Sequence, residues 1–89
     1  MKCLKITVSG MVQGVGYRYF CYKKALEYKI TGYAKNLFNG NVEVIAQGNE
    51  KLLNGFVKEL NTGPHYSAVK SLKIEESDIE IEYREFSIY

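Results

Sequence analysis

Residues 8–20 read VSGMVQGVGYRYF, with three glycines and one arginine between an apolar strand-like run and an apolar helix-like run. The stretch holds no acid, histidine or cysteine, so it offers neither the usual general bases nor the usual metal ligands. What it offers is a place for an anion. If Leu4 to Val8 is a strand and Tyr17 begins a helix, Gly10 to Gly16 is a loop leading into a helix N-terminus. Unsatisfied backbone N–H groups and partial positive charge collect at such a terminus, and glycines let the backbone approach a ligand closely. Arg18 then falls in the first helical turn, where a cation opposes the helix dipole, and a bound dianion would reverse that penalty. A guanidinium can also give phosphate two parallel hydrogen bonds, which lysine cannot. The stretch lacks the lysine and hydroxyl of a GxxxxGK[ST] nucleotide loop. Glycine-rich turns also serve purely structural ends, and the pattern alone leaves that alternative open.

Other reactive residues are sparse. Cys3 and Cys21 lie far apart, and His65 is the only histidine, so metal-ligand spacing is absent. Both cysteines read as small core residues in a reducing compartment, and His65, beside Pro64, as an exposed loop residue. Most of the eight tyrosines fall at helical or strand spacing and read as core or boundary residues. The net charge of +2 conceals an asymmetry: residues 1–41 carry seven Lys or Arg against Glu27 alone, while residues 75–85 carry six acids against Arg84. The acidic segment reads as a solvated face.

The elements that must position these groups follow from periodicity. At 89 residues the chain is expected to form one domain over residues 1–89 with a modest core. Leu4, Ile6 and Val8 alternate with Lys5 and Thr7, predicting a strand with one buried face. Tyr17 to Tyr28 predicts a helix ended by Ile30-Thr31-Gly32. Gly32 to Phe38 and Asn41 to Gln47 flank Asn39-Gly40, which predicts a tight hairpin turn. Asn49 is a candidate N-cap for a second helix carrying Leu53, Phe56, Val57 and Leu60, stopped by Thr62-Gly63-Pro64. Tyr66 to Ile74 reads less cleanly as a strand. Ile79, Ile81 and Tyr83 alternate with charges as a further strand, with a break near Arg84 to Glu85 before Phe86 and Ile88. The order predicts an α+β, ferredoxin-like split βαβ sandwich, an antiparallel sheet with both helices on one face. The N-terminus MKCLKITVSG builds no apolar block, so neither signal peptide nor membrane span is expected, and the chain reads as soluble and cytoplasmic.

Gly10-Met11-Val12-Gln13-Gly14-Val15-Gly16-Tyr17-Arg18 resembles the first acylphosphatase motif, GxVQGVxFR or GxVQGVxMR. Gly32-Tyr33-Ala34-Lys35-Asn36, then Gly40-Asn41-Val42 and Gly48, is similar to the second motif of that family. The resemblance spans the chain, with two departures. Tyr17 replaces the usual Phe or Met, so its hydroxyl needs a partner if buried, and Phe38 with Asn39 stands where proline and aspartate often occur.

The resemblance implies a metal-free, cofactor-free acylphosphatase that cleaves the carboxyl-phosphate bond of a small acyl phosphate into a carboxylate and inorganic phosphate. By it, Arg18 and the loop amides of Gln13, Gly14, Val15, Gly16, Tyr17 and Arg18 hold the phosphoryl group, and Asn36 orients the attacking water. A monomer is expected. Two other readings compete. A nucleic-acid module on the open sheet would need stacking aromatics, yet residues 2–8 and 41–47 contain no Phe, Tyr or Trp, and no nucleic-acid partner is expected. An idle or regulatory acyl-phosphate-binding domain, or a carbamoyl-phosphate-handling one like those within larger maturation proteins, would share the loop. The presence of both Arg18 and Asn36 argues against idleness.

Overall fold

The computed structural model describes residues 1–89. The elements run β1 (Lys2–Met11), α1 (Tyr17–Tyr28), β2 (Thr31–Asn36), β3 (Val42–Gly48), α2 (Glu50–Thr62), β4 (Ala68–Ser77) and β5 (Phe86–Ile88). They form one five-stranded sheet ordered β4-β1-β3-β2-β5. Ile6 and Val8 of β1, Ala34 of β2, Val42, Val44 and Ala46 of β3, and Phe86 of β5 are buried on one face of it. Tyr17, Cys21 and Ala25 of α1 and Leu53, Phe56 and Leu60 of α2 complete that core, so both helices cover the same face.

Both helices keep the expected bounds. Asn49 caps α2 with its side chain accepting from the Lys51 N–H at 2.9 Å, Glu50 stands in the first turn, and Gly63 closes the helix at φ 69°. The bound of α1 at Tyr28 is as expected, but the residue that ends the helix is not. Lys29, at φ 56°, makes the left-handed step itself: its N–H meets Leu26 O at 3.4 Å, and Ile30 N–H reaches Ala25 O at 2.8 Å. Gly32 lies instead inside β2 at φ 137°, where any Cβ would collide with the Ile45 carbonyl of β3.

Three strand expectations are corrected. The hairpin has no two-residue turn. Leu37 N–H bonds Asn41 O at 2.8 Å and Gly40 N–H bonds Leu37 O at 3.2 Å, leaving a three-residue loop with only Gly40 at positive φ. β1 runs past Gly10 to Met11 through a bulge between Ser9 and Gly10 against β4, which itself extends to Ser77. The third correction concerns Ile79 to Tyr83, which form no strand. β4 and β5 occupy opposite edges of the sheet, so the chain between them must cross over β1, β3 and β2 and cannot pair alongside any of them. β5 then joins β2 in parallel, with Ala34 opposite Ile88, making the sheet mixed and not wholly antiparallel.

That crossing covers part of the face away from the helices. Gln47, buried there, donates from Nε2 to Ile81 O at 2.6 Å and accepts the Tyr83 N–H on Oε1 at 3.1 Å. Cys3 is buried on the same face, whereas Cys21 is in the main core, and both thiols are free. No helix is long and apolar enough to cross a membrane.

Candidate active site

The bulged end of β1 releases the chain into residues 12–16, which curl into the start of α1. Val12 is buried and anchors this loop to the core. Gly14 and Gly16 stand at φ 73° and 78°, and Gly16 is the N-cap of α1 in a left-handed conformation that offers no side-chain cap. A residue with a Cβ resists that conformation, and glycine adopts it freely. None of the N–H groups of residues 12–16 has a hydrogen-bond acceptor in the protein. Phe20 N–H is the first to close a helical turn, onto Gly16 O at 3.0 Å. With no acid in the first turn of α1, the end of the helix keeps its free donors and its positive potential.

Gln13 holds the loop against the hairpin. Its Nε2 donates to both Leu37 O and Asn41 O at 2.8 Å, so both side-chain N–H groups are committed to these carbonyls and its main-chain N–H is the one donor left for a ligand. Tyr17 likewise turns its side chain inward. The ring is buried, the hydroxyl donates to Leu60 O of α2 at 2.7 Å, and burial pushes its pKa well above the ordinary tyrosine value. The partner that a buried Tyr17 hydroxyl requires is therefore present.

Arg18 is half-buried, and its Nη1 donates to the main-chain oxygen of Tyr89 just beyond β5. Tyr89 N–H in turn bonds Ala34 O at 2.9 Å, which ties this segment to β2. Arg18 lines a pocket of about 160 Å³ together with Val12, Gly14, Gly16, Tyr19 and Ile88. The loop glycines and Arg18 are thus brought together. Asn36 does not line that pocket. It ends β2 two residues beyond the buried Ala34, and strand alternation puts it on the helix-bearing face, next to the hairpin loop that Gln13 grips. Its Oδ1 is the single buried side-chain oxygen or nitrogen without a hydrogen-bond partner. Such an orphan costs about 1–3 kcal/mol unless a water, an ion or a ligand satisfies it.

The family model for acylphosphatase matches residues 4–88. The chain belongs to the acylphosphatase family. It is 47% identical over 88 residues to an acylphosphatase of Vibrio vulnificus, covering 99% of this chain and 97% of that relative. Acylphosphatase from Bacillus subtilis superposes with a TM-score of 0.96 at 38% identity, covering 100% of this chain and 99% of that one. HypF of T. kodakarensis contains a similar domain, with a TM-score of 0.90 at 31% identity, but this chain covers only 12% of it. Membership makes the chain an acylphosphatase-type enzyme. The structure also contains no group of three or more His, Cys, Asp or Glu side chains placed to hold a metal ion.

Two participants had no signal in the sequence. Tyr89 acts through a main-chain oxygen, which any residue would supply, and Ile88 reaches the pocket only because β5 pairs beside β2.

Proposed function

We propose that the enzyme hydrolyses small acyl phosphates to a carboxylate and inorganic phosphate, with Arg18 and the amides of residues 13–18 holding the phosphoryl group and Asn36 orienting the water. The observation that carries this reading is the run of acceptor-free N–H groups at residues 12–16 beside a guanidinium already fixed by Tyr89. These donors suit three phosphoryl oxygens, and Arg18 adds a charge that the helix end alone lacks. Asn36 Oδ1, an acceptor with nothing to accept, is suited to take one hydrogen of a water and so aim its lone pair at phosphorus.

The leaving group explains why so few side chains suffice. Cleavage of a carboxylic-phosphoric anhydride expels a carboxylate whose conjugate acid has a pKa of about 4, so no protein acid need protonate it. Charge in the transition state spreads over the equatorial phosphoryl oxygens, where positioned donors stabilise it. No base stands in either motif, and a phosphoryl oxygen of the substrate takes the proton from water. On this reading kcat stays flat between about pH 6 and 8. A titration in that range abolished by a single substitution would assign the proton to a protein group instead.

The test is hydrolysis of benzoyl phosphate with a chelator present, for the wild type beside Arg18→Gln. Fast turnover that the substitution abolishes is the expected result. A folded wild type that binds inorganic phosphate but turns nothing over would make the loop a binding or regulatory device.

A further inference from the structure

Beside the loop pocket lies an open groove of about 430 Å³ lined by Val15, Tyr19, Phe20, Lys23, Pro64 and Tyr66. It shares Gly16 and Tyr19 with the loop pocket, and no other cavity shares a residue with that pocket. Its walls are aliphatic or aromatic apart from Lys23 and the glycine. Tyr19 and Tyr66 remain 59% and 76% exposed, so two large rings face water beside a site built for a charged group. Tyr19 is held in place on one side by Tyr22, stacked at 6.1 Å, and Lys23 Nζ lies 5.8 Å from the Tyr19 ring centre. Lys23 has no carboxylate within 4.0 Å, unlike its neighbour Lys24, which pairs with Glu27 and Glu59.

We propose that this groove is the acyl subsite, taking an apolar acyl group of about aromatic-ring size, with Lys23 on its wall beside Tyr19 favouring one that bears a ring carboxylate. The inference rests on the acyl phosphate reading above and adds the class of acyl group. A substrate gripped by its phosphoryl oxygens must direct its acyl portion away from the loop amides, and the groove is the apolar surface that continues from them. Stacking or edge contact with Tyr19 and Tyr66 would contribute to the binding of a ring but not of a methyl group. A carboxylate near Lys23 would gain a charge-assisted contact that a neutral ring cannot make.

The experiment compares acetyl phosphate, benzoyl phosphate and 4-carboxybenzoyl phosphate on the wild type, Tyr66→Ser and Lys23→Gln. Because each variant is read as a ratio between substrates, intrinsic anhydride reactivity and small changes in fold cancel. In Tyr66→Ser the ratio of kcat/KM for benzoyl over acetyl phosphate should fall about three- to tenfold. In Lys23→Gln the ratio for 4-carboxybenzoyl over benzoyl phosphate should fall about two- to fivefold, and more at low salt. Ratios equal to those of the wild type in both variants, with turnover intact, overturn the subsite alone. A folded wild type that hydrolyses none of the three overturns the hydrolase reading and the subsite with it.

Discussion

The Tyr17 hydroxyl donates to the carbonyl of Leu60, and Leu60 is the residue four before Pro64. Proline has no N–H, so that carbonyl, in the last turn of α2, has no backbone donor and would be an orphan in the core without the phenol. Tyr17 thereby joins the start of α1 to the end of α2 at the point where the loop of residues 12–16 enters its helix. Tyr17→Phe keeps the ring and strands the carbonyl. A loss of about 1–3 kcal/mol in unfolding free energy is expected, measured by denaturant titration, with kcat nearly preserved because the Tyr17 hydroxyl is buried against Leu60. Unchanged stability would mean that water replaces the hydroxyl at no cost.

Arg18 has one guanidinium nitrogen committed to Tyr89 O, which leaves the rest of a rigid fork for an anion. Arg18→Lys retains the charge but replaces the planar fork with a single ammonium nitrogen, which cannot hold Tyr89 with one nitrogen and give phosphate parallel bonds from others. Inorganic phosphate should bind the variant about tenfold more weakly, a difference of about 1.4 kcal/mol. Thermal shift reads it directly: millimolar phosphate raises the Tm of the wild type and raises that of Arg18→Lys much less. Equal shifts would remove Arg18 from phosphate binding.

Asn36 carries a buried oxygen that has no partner within the protein, so that atom adds no hydrogen bond to the stability of the fold. Asn36→Ala should lower kcat roughly a hundredfold while KM and phosphate affinity change little, as expected for loss of water positioning. The same substitution should leave the Tm unchanged or raise it, because the orphan acceptor disappears. Full turnover in the variant would exclude the role, and a large fall in Tm would mark Asn36 as structural.

Signals local to the chain were legible, and those set by sheet order were not. Both ends of α2 and the start of α1 could be read because Asn49, Gly63 and Gly16 mark them through residue type, whereas α1 ends at Lys29, whose type gives no such signal. The alternation at Ile79, Ile81 and Tyr83 is a true pattern without a strand, since the route from one sheet edge to the other leaves it no neighbour to pair with. Asn39-Gly40 suggested the wrong turn because Asn39 keeps a negative φ and the loop takes three residues. Arg18, Gly14 and Gly16, which line one pocket, stood out in the sequence by charge and backbone freedom. Asn36 is an ordinary strand-end amide by type, and only its place in the second motif singled it out.

Lys29 is the sole non-glycine residue at positive φ, where an L side chain costs about 1–2 kcal/mol. It is exposed and has no carboxylate partner within 4.0 Å, so nothing in its side chain offsets that cost. Lys29→Gly should therefore stabilise the protein by about 1 kcal/mol, a rise of about 4–8 °C in Tm for a domain of this size, without altering turnover. A fall in Tm would show that the greater freedom of glycine in the unfolded chain outweighs the relieved strain.

Burial in the core pushes the Cys21 thiol up to about 12 from an ordinary value of 9.0, with its own backbone and the Tyr17 hydroxyl opposing that rise. A raised folded-state pKa contributes stability that is fully present below the unfolded value and is lost as pH rises through the folded one. Between about pH 9 and 12 the unfolded chain releases the thiol proton while the folded one keeps it, so unfolding becomes easier by up to about 1.4 kcal/mol per pH unit. Cys21→Ala removes this group from the titration. It is expected to start less stable at pH 7, because a buried side chain is truncated, and to lose stability less steeply above pH 9. Urea unfolding at pH 7, 9, 10 and 11 measures both slopes. Parallel slopes would assign the alkaline loss to other groups, Tyr17 first among them.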